Sequence, residues 1–171
     1  AVEAAVAWRA AIEYVDGPTS LILTRQGVPH LERTADQIAA AARGGYILLD
    51  SDGDPELIFI ATGSEVSLAL ASANELQAQG HNIRVVSMPC TEAYELQSAD
   101  YKNHVLPDSS AKRLVIEAGV SDCWWRYVAG RGDVVGIDRF GQSAPASALF
   151  EEYGFTVEAV LARARTLLGG T

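Results

Sequence analysis

The strongest constraint on the fold is the alternation of short apolar runs with helical or polar segments after residue 55. Apolar, β-rich runs of five or six residues occur at 56–61, 83–88, 113–117 and 133–137. Runs that are apolar on both faces are typical of strands in a covered parallel sheet, and strands alternating with helices form right-handed βαβ units. We therefore predict a mainly parallel sheet with helices on both sides.

The segments between these runs show helical periodicity and helix-start signals. The predicted helices lie at 62–79, in short pieces through 105, at 121–128, at 145–153 and at 156–168. A further strand is predicted over 46–49. Only a short turn, 50–55, joins it to the run at 56–61, so we expect these two strands to pair antiparallel.

The first 44 residues carry a separate pattern. A helix is predicted over 2–14, and the sequence Asp-Gly-Pro at 16–18 ends it. The run SLILT at 20–24 predicts a strand buried on both faces. A capping-box signature at 34–37 opens a short Ala-rich helix that ends at two glycines, 44 and 45. We place the seam between two parts of the chain here, and most of the acidity lies beyond it.

Charge and cysteine content exclude several classes of protein. The formal net charge is −9, whereas nucleic-acid and anionic-membrane binders need a cationic face. No run approaches the 18 or so apolar residues of a membrane span. The two cysteines, Cys90 and Cys123, have no CxxC partner or His cluster nearby, so we expect reduced thiols in a cytoplasmic protein.

Two loop motifs resemble functional sites but lack a required residue. The loop at 50–54, DSDGD, has carboxylates at positions 1, 3 and 5 of a calcium loop, but Pro55 stands where that loop needs glycine. The stretch at 141–145, GQSAP, begins like a nucleophile elbow but ends in Pro145 instead of glycine. We interpret the first as a solvated turn and the second as a helix entry with Pro145 at the first helical position. The three histidines have no metal-ligand spacing and are interpreted as surface or hydrogen-bonded groups: His30, His81 and His104.

Two further features have more than one interpretation. Thr62-Gly63-Ser64-Glu65 follows a buried run and opens a helix, where a parallel sheet can bind an anion. Simple N-capping by Ser64 is the alternative. Trp124 and Trp125 diverge by about 100° on a helix. One ring can therefore enter the core while the other covers a neighbouring surface or anchors an interface.

Arg25 is the candidate binding residue. It follows the predicted strand at 20–24 directly, and open α/β sheets place their ligand crevice at the carboxyl ends of strands. A guanidinium group there suits bidentate binding of a phosphate or carboxylate. A structural ion pair is the alternative, and the residues alone leave both open.

Several motifs in register resemble the transketolase family over practically the whole chain. They are GPTSLILTRQ at 17–26, ARGGY at 42–46, ELIFIATGSEV at 56–66, RVVSMP at 84–89, FGQSAP at 140–145 and EEYGFTV at 151–157. In that family, the segment that matches 17–26 delivers an arginine to the substrate channel. The resemblance therefore implies that Arg25 binds the substrate phosphate; the loop after it departs from the usual pattern, and we assign no role to His30.

The resemblance also implies the fold and activity. Transketolases are homodimers that transfer a two-carbon ketol unit between ketose and aldose phosphates, using thiamine diphosphate and a divalent cation, Mg or Ca, bound between subunits. It implies that residues 1–44 are the end of the pyrimidine-binding domain, a helix–strand remnant. Residues 45–171 would be the C-terminal domain, a three-layer α/β/α unit whose five-stranded mixed sheet has four parallel strands and one antiparallel strand.

The catalytic and metal–diphosphate motifs of the family have no counterpart in the sequence. Since the chain also begins without Met and in mid-helix, we expect a C-terminal portion of a transketolase that is inactive alone. Its expected partners are the rest of the enzyme, a second subunit and sugar phosphates, with no nucleic acid and no membrane. The alternatives are a non-catalytic assembly or regulatory module and a natural subunit of a split transketolase.

Overall fold

A single five-stranded mixed sheet organises the computed structural model, which describes residues 1–108 and 111–169. The strands are β1 (Tyr46–Leu49), β2 (Leu57–Ala61), β3 (Ile83–Ser87), β4 (Lys112–Ile116) and β5 (Gly132–Val135). Their order across the sheet is β1-β3-β2-β4-β5. The predicted mixed sheet is confirmed, because β3, β2, β4 and β5 run parallel and β1 pairs antiparallel.

The predicted partner of β1 is wrong. β1 pairs with β3, in the register Tyr46 opposite Ser87, and not with β2. Every residue of β2 is fully buried, so β2 takes the centre of the sheet between β3 and β4. β1 is only partly buried and takes the edge. The connection from β1 to β2 passes the amino-terminal end of β3. There Arg84 Nε donates a 2.8 Å hydrogen bond to Asp50 Oδ1.

Helices cover both faces of the sheet, which confirms the three-layer α/β/α architecture. The helices are α1 (Val2–Glu13), α2 (Ala35–Ala41), α3 (Glu65–Ala78), α4 (Thr91–Glu95), α5 (Ala99–Val105), α6 (Trp125–Val128), α7 (Ala146–Glu152) and α8 (Val157–Leu168), with a 3-10 turn at Asp122–Trp124. Side chains alternate along β2, so that Leu57 and Phe59 join the core under α3 and α8. Ile58 and Ile60 join the second core, under α4, α5 and α6.

The predicted strand at 20–24 does not form. Within the described part of the chain this run has no hydrogen-bonded neighbour strand, and a strand needs one to pair its backbone groups. All but one of its side chains are exposed, Ile22 to 96% and Leu23 to 57%, where burial on both faces was expected. The helix predicted before it is present as α1, but no residue of α1 is buried.

Polar contacts attach the first 44 residues to the antiparallel edge of the sheet. The carboxylate of Glu3 accepts hydrogen bonds from the hydroxyls of Tyr46 (2.7 Å) and Ser87 (2.6 Å) and pairs with Arg33 at 3.1 Å. The predicted capping box is confirmed, because Thr34 and Gln37 bond reciprocally at the start of α2. These contacts align α1 and α2 with β1 and β3.

The glycine pair after α2 is required by close packing. Gly44 has φ +87°, and a β-carbon there would lie 2.2 Å from the carbonyl oxygen of Cys90. A side chain at this position would therefore clash with backbone as well as force an unfavourable φ. Among the described residues, no helix is both long and apolar enough to cross a lipid bilayer.

Candidate functional site at the carboxyl edge of the sheet

The order of the strands places a crevice between β2 and β4. The chain leaves β2, forms α3 and returns to β3 on one side of β2, and the later strand β4 lies on the other side. Open α/β sheets bind ligands at such a switch point, outside the carboxyl ends of the two strands. The residues that follow β2 and β4 directly are therefore the first to examine.

Two glutamates occupy this switch point. Glu65 begins α3 and is only 4% exposed, and Glu117 follows β4 directly. Burial raises the pKa of Glu65, partly offset by hydrogen bonds from the Ser64 hydroxyl and from the backbone N–H groups of Glu65 and Ala118. Burial, and after it the neighbouring Glu65 carboxylate, raises the pKa of Glu117 to about 7. Oε2 of Glu117 is buried and has no hydrogen-bond partner in the described part of the chain. The crevice therefore carries a crowded pair of carboxylates and disfavours anions.

The 62–65 turn carries the N-cap residue of α3. Ser64 precedes α3, but its side chain accepts no hydrogen bond from the helix backbone. The hydroxyl donates instead to Glu65 Oε1 at 2.7 Å. Ser64 is thus the N-cap residue of α3, as predicted, but without a side-chain capping hydrogen bond. A phosphate at the start of α3 would lie against the buried Glu65 carboxylate.

The segment that contains Arg25 passes over the start of α3. A β-carbon at Gly63 would lie 3.7 Å from Thr24 Oγ1. A small cavity of about 50 Å³ lies between this segment and α3, lined on one side by Val28, Pro29 and Leu31 and on the other by Gly63, Ser64 and Ser67. The 24–31 segment thus crosses the carboxyl edge of the sheet beside β2.

Arg25 is exposed within this segment. It makes no hydrogen bond or ion pair with any other residue that the structure describes, so the structural ion pair considered above is not found there. Its guanidinium group is available to a ligand or to another polypeptide. The structure does not itself test phosphate binding, which stays a prediction.

The remaining candidate motifs are structural in the described residues. Asp50 pairs with Arg84, and the 50–54 loop connects β1 to β2. Pro145 is the N-cap of α7, one position before its predicted place, and the 141–145 stretch is exposed. Nδ1 of His81 lies 3.5 Å from the carboxylate of Glu56.

Trp124 is buried and Trp125 is half exposed, as their spacing predicts. Across residues 1–108 and 111–169, no group of three or more His, Cys, Asp and Glu side chains is arranged to hold a metal ion.

No motif in the sequence pairs Glu65 with Glu117. Glu65 lies in the helix start predicted at 62–65, shortly after the apolar run at 56–61, and Glu117 is the last residue of the predicted strand at 113–117. Both positions lie at the carboxyl ends of predicted parallel strands, and this placement is the sequence signal that could have identified the two residues. Their adjacency depends on β2 and β4 being neighbours, which only the sheet order shows.

Comparisons with known proteins agree on one family. The family model described as "Transketolase-like TK C-terminal domain" matches residues 44–156. Transketolase 1 of Escherichia coli is 54% identical over 167 residues, which cover 98% of this chain and 25% of that protein. The chain thus spans about a quarter of the length of the curated relatives it matches.

Solved structures show the same relationship. Transketolase from Leishmania mexicana superposes with a TM-score of 0.89 at 36% identity, over 98% of this chain and 24% of that one. A transketolase from Pichia stipitis in complex with sedoheptulose-7-phosphate gives a TM-score of 0.88 at 37% identity, with the same coverage.

Proposed function

Because the chain belongs to the transketolase family, we propose that it is the C-terminal portion of an enzyme that transfers a two-carbon ketol unit between ketose and aldose phosphates. The observation that carries this proposal is the match over 98% of the chain to a quarter of a transketolase. Under it, residues 1–44 form the end of the pyrimidine-binding domain, and residues 45–171 form the C-terminal domain. The complete enzyme would use thiamine diphosphate and a divalent cation.

The described residues do not fit that cofactor. A metal-bound diphosphate needs carboxylate ligands for the cation and donors for the phosphates, and no such metal-ligand group occurs in the described ranges. At the switch point of the sheet, Glu65 and Glu117 would repel a diphosphate. We therefore assign no step of the reaction to this chain through the cofactor, and we propose that the chain alone is inactive.

We assign to Arg25 the binding of the substrate phosphate. The side chain is exposed and is unpaired among the described residues, and a guanidinium group binds phosphate in a bidentate, charge-assisted way. The Pichia stipitis relative named above is a complex with a sugar phosphate. The phosphate would be held away from the glutamate pair, which lies below the segment and repels anions.

The exposed apolar side chains of the first 44 residues support assembly with more polypeptide. Large apolar groups are exposed on α1 and on the run that follows it, including Trp8, Ile12, Val15, Ile22 and Leu23. Five large exposed apolar side chains within 16 residues of chain are consistent with a surface that other polypeptide covers. We propose that the rest of a transketolase subunit and a second subunit of the dimer cover it.

A fusion tests the proposal. The part of E. coli Transketolase 1 that precedes the matching quarter is joined to this chain, with Arg25→Gln as the variant and Arg139→Gln as a control at another exposed arginine. We expect an active fusion, in which Arg25→Gln lowers kcat/KM for a phosphorylated aldose by about thirtyfold, corresponding to roughly 2 kcal/mol for a lost charge-assisted pair. The value for an unphosphorylated aldose and the control should stay unchanged.

Three outcomes separate the alternatives. Ketol transfer by the 171-residue chain alone would contradict its proposed role, and equal kinetics of the Arg25→Gln fusion with both acceptors would contradict the role of Arg25. Full activity on simply mixing the two polypeptides would favour the alternative of a separate subunit of a split transketolase.

A further inference from the structure

A second cleft lies at the opposite end of the sheet from Arg25 and the glutamate pair. It has a volume of about 440 Å³ and is bounded by α4, α5, α6 and the first residues of β4. Its polar lining includes Glu95, Lys102, Arg113, Arg126 and Tyr127. Sites for small molecules in proteins have volumes from about 300 Å³ upwards, so this cleft can admit a small ligand.

Arg113 forms the floor of the cleft. The side chain is 9% exposed, and its guanidinium group donates to the backbone carbonyls of Tyr127 (2.8 Å), Leu106 (3.3 Å) and Pro107 (2.9 Å). These three hydrogen bonds leave at least two of its five N–H donors unused among the described residues. No carboxylate lies within ion-pair distance of Arg113 in that part of the chain. A buried guanidinium group without an anionic partner is costly unless an anion completes it.

The surroundings of Arg113 do not supply that anion. Burial lowers the pKa of Arg113, and the neighbouring Arg131 lowers it further, whereas Tyr94 and Asp108 act in the opposite direction. Asp108 is exposed, where solvent screens its charge.

Tyr127 contributes a second buried donor to the cleft. The residue is 5% exposed, and its hydroxyl makes no hydrogen bond of ordinary geometry in the described residues, although Glu95 is near enough to raise its pKa after burial has done so. The hydroxyl of Tyr94 is already used, since it donates to the carbonyl of Lys102 at 3.0 Å. Tyr127 therefore places a buried O–H beside the Glu95 carboxylate, in the same cleft as Arg113.

Two more cations lie at the cleft. The guanidinium carbon of Arg126 is 5.8 Å from the centre of the Tyr127 ring, and Lys102 Nζ is 3.4 Å from Glu95 Oε2. Lys102 thus neutralises Glu95, the acid that faces the cleft from α4. In a chain of net charge −9, the cleft still has more cationic than anionic side chains in its lining.

We propose that this cleft binds the phosphate group of a small molecule, through Arg113, Arg126 and the Tyr127 hydroxyl. The three donor groups line one cleft from two elements, Arg113 from β4 and Arg126 and Tyr127 from α6. Three groups suit the three or four oxygens of a phosphate better than the two oxygens of a carboxylate. The site is distinct from the one proposed for Arg25, because Arg113 begins β4 and the Arg25 segment crosses the opposite, carboxyl edge of the sheet.

The test is a titration of the ¹⁵N-labelled 171-residue chain with inorganic phosphate and, separately, with glycerol phosphate, at constant ionic strength. The signals to follow are Arg113 Nε–H and the indole N–H of Trp124, whose ring centre is 5.8 Å from that of Tyr127. We expect both signals to shift and saturate. Arg126→Gln and Tyr127→Phe should each weaken binding about tenfold, as expected for a lost charge-assisted or buried hydrogen bond. Arg139→Gln and Arg25→Gln should leave these shifts unchanged.

The two ligands identify the source of the phosphate, because tighter binding of glycerol phosphate points to an ester and binding of inorganic phosphate alone points to the free ion. Shifts that grow without saturating, or equal affinities in Arg126→Gln and the unsubstituted chain, would overturn the proposal. Arg126 is exposed, so its variant carries the test even where Tyr127→Phe alters folding. If Arg25→Gln lowers the activity of the fusion but leaves these NMR signals unchanged, the Arg25 site and the Arg113 cleft are two distinct sites.

Discussion

Two similar apolar runs, one in each part of the chain, adopt different structures. The run LIFIA at 57–61 and the run SLILT at 20–24 are both short, apolar and rich in β-favouring residues. The first is the fully buried centre of a five-stranded sheet, whereas the second forms no strand and exposes Ile22 almost completely. The difference lies in the neighbours: β3 and β4 flank β2 within the chain, and no described strand flanks 20–24. The β propensity of a residue reflects how well its side chain packs within a sheet, so a run of high β propensity forms no strand where no neighbouring strand is present.

A matched pair of substitutions measures this contrast. Ile60→Ala removes a fully buried side chain from β2, and we expect it to lower the free energy of unfolding by about 4 kcal/mol. Ile22→Ala makes the same change at an exposed site and should alter that free energy by less than about 0.5 kcal/mol. Urea unfolding of both variants gives the two values. A comparable loss from Ile22→Ala would show that the 20–24 run is packed within this chain.

The glutamate pair gives the stability of the sheet a pH dependence. The pKa of Glu117 is about 7 in the folded chain and 4.5 ordinarily, so the folded state holds the proton more tightly than the unfolded state. Stability from this group is complete below about pH 4.5 and is lost as the pH rises through 7. At about pH 8, Glu117→Gln should therefore stabilise the chain by about 2 kcal/mol, with little effect near pH 4.

The measurement is thermal or urea unfolding across that pH range. Glu151→Gln, at an exposed carboxylate with no ion pair among the described residues, serves as the control and should show no such trend. An equal effect of Glu117→Gln on the free energy of unfolding at both ends of the pH range would mean that burial and Glu65 do not raise the pKa of Glu117.

Much of the second part of the fold was predictable because its information is local. The positions of β2, β3 and β4 follow from short, mostly apolar runs. In the first part of the chain, α2 likewise begins where the Thr34–Gln37 capping box predicts. The partner of β1 was not predictable from the short turn after it. Pairing depends on which strand is buried deeply enough to take the centre, and β2 has both of its edges occupied by parallel neighbours.

The candidate site was predictable only in part, for the same reason. Arg25 was found from a motif in contiguous residues, and its role stays a prediction. Glu65 and Glu117 are 52 positions apart in sequence and meet only because β4 adds beside β2. Ser64 failed as a side-chain cap because the carboxylate next to it competes successfully for its hydroxyl.

Amide hydrogen exchange at 20–24 tests most directly the central claim that the first 44 residues are the end of a domain completed by other polypeptide. Exchange is followed by mass spectrometry in the 171-residue chain and in its fusion to the preceding part of E. coli Transketolase 1, with 57–61 as the internal reference. We predict rapid exchange at 20–24 in the chain alone and slow exchange in the fusion, while 57–61 is slow in both. Rapid exchange at 20–24 in an active fusion, or slow exchange in the chain alone, would contradict the account.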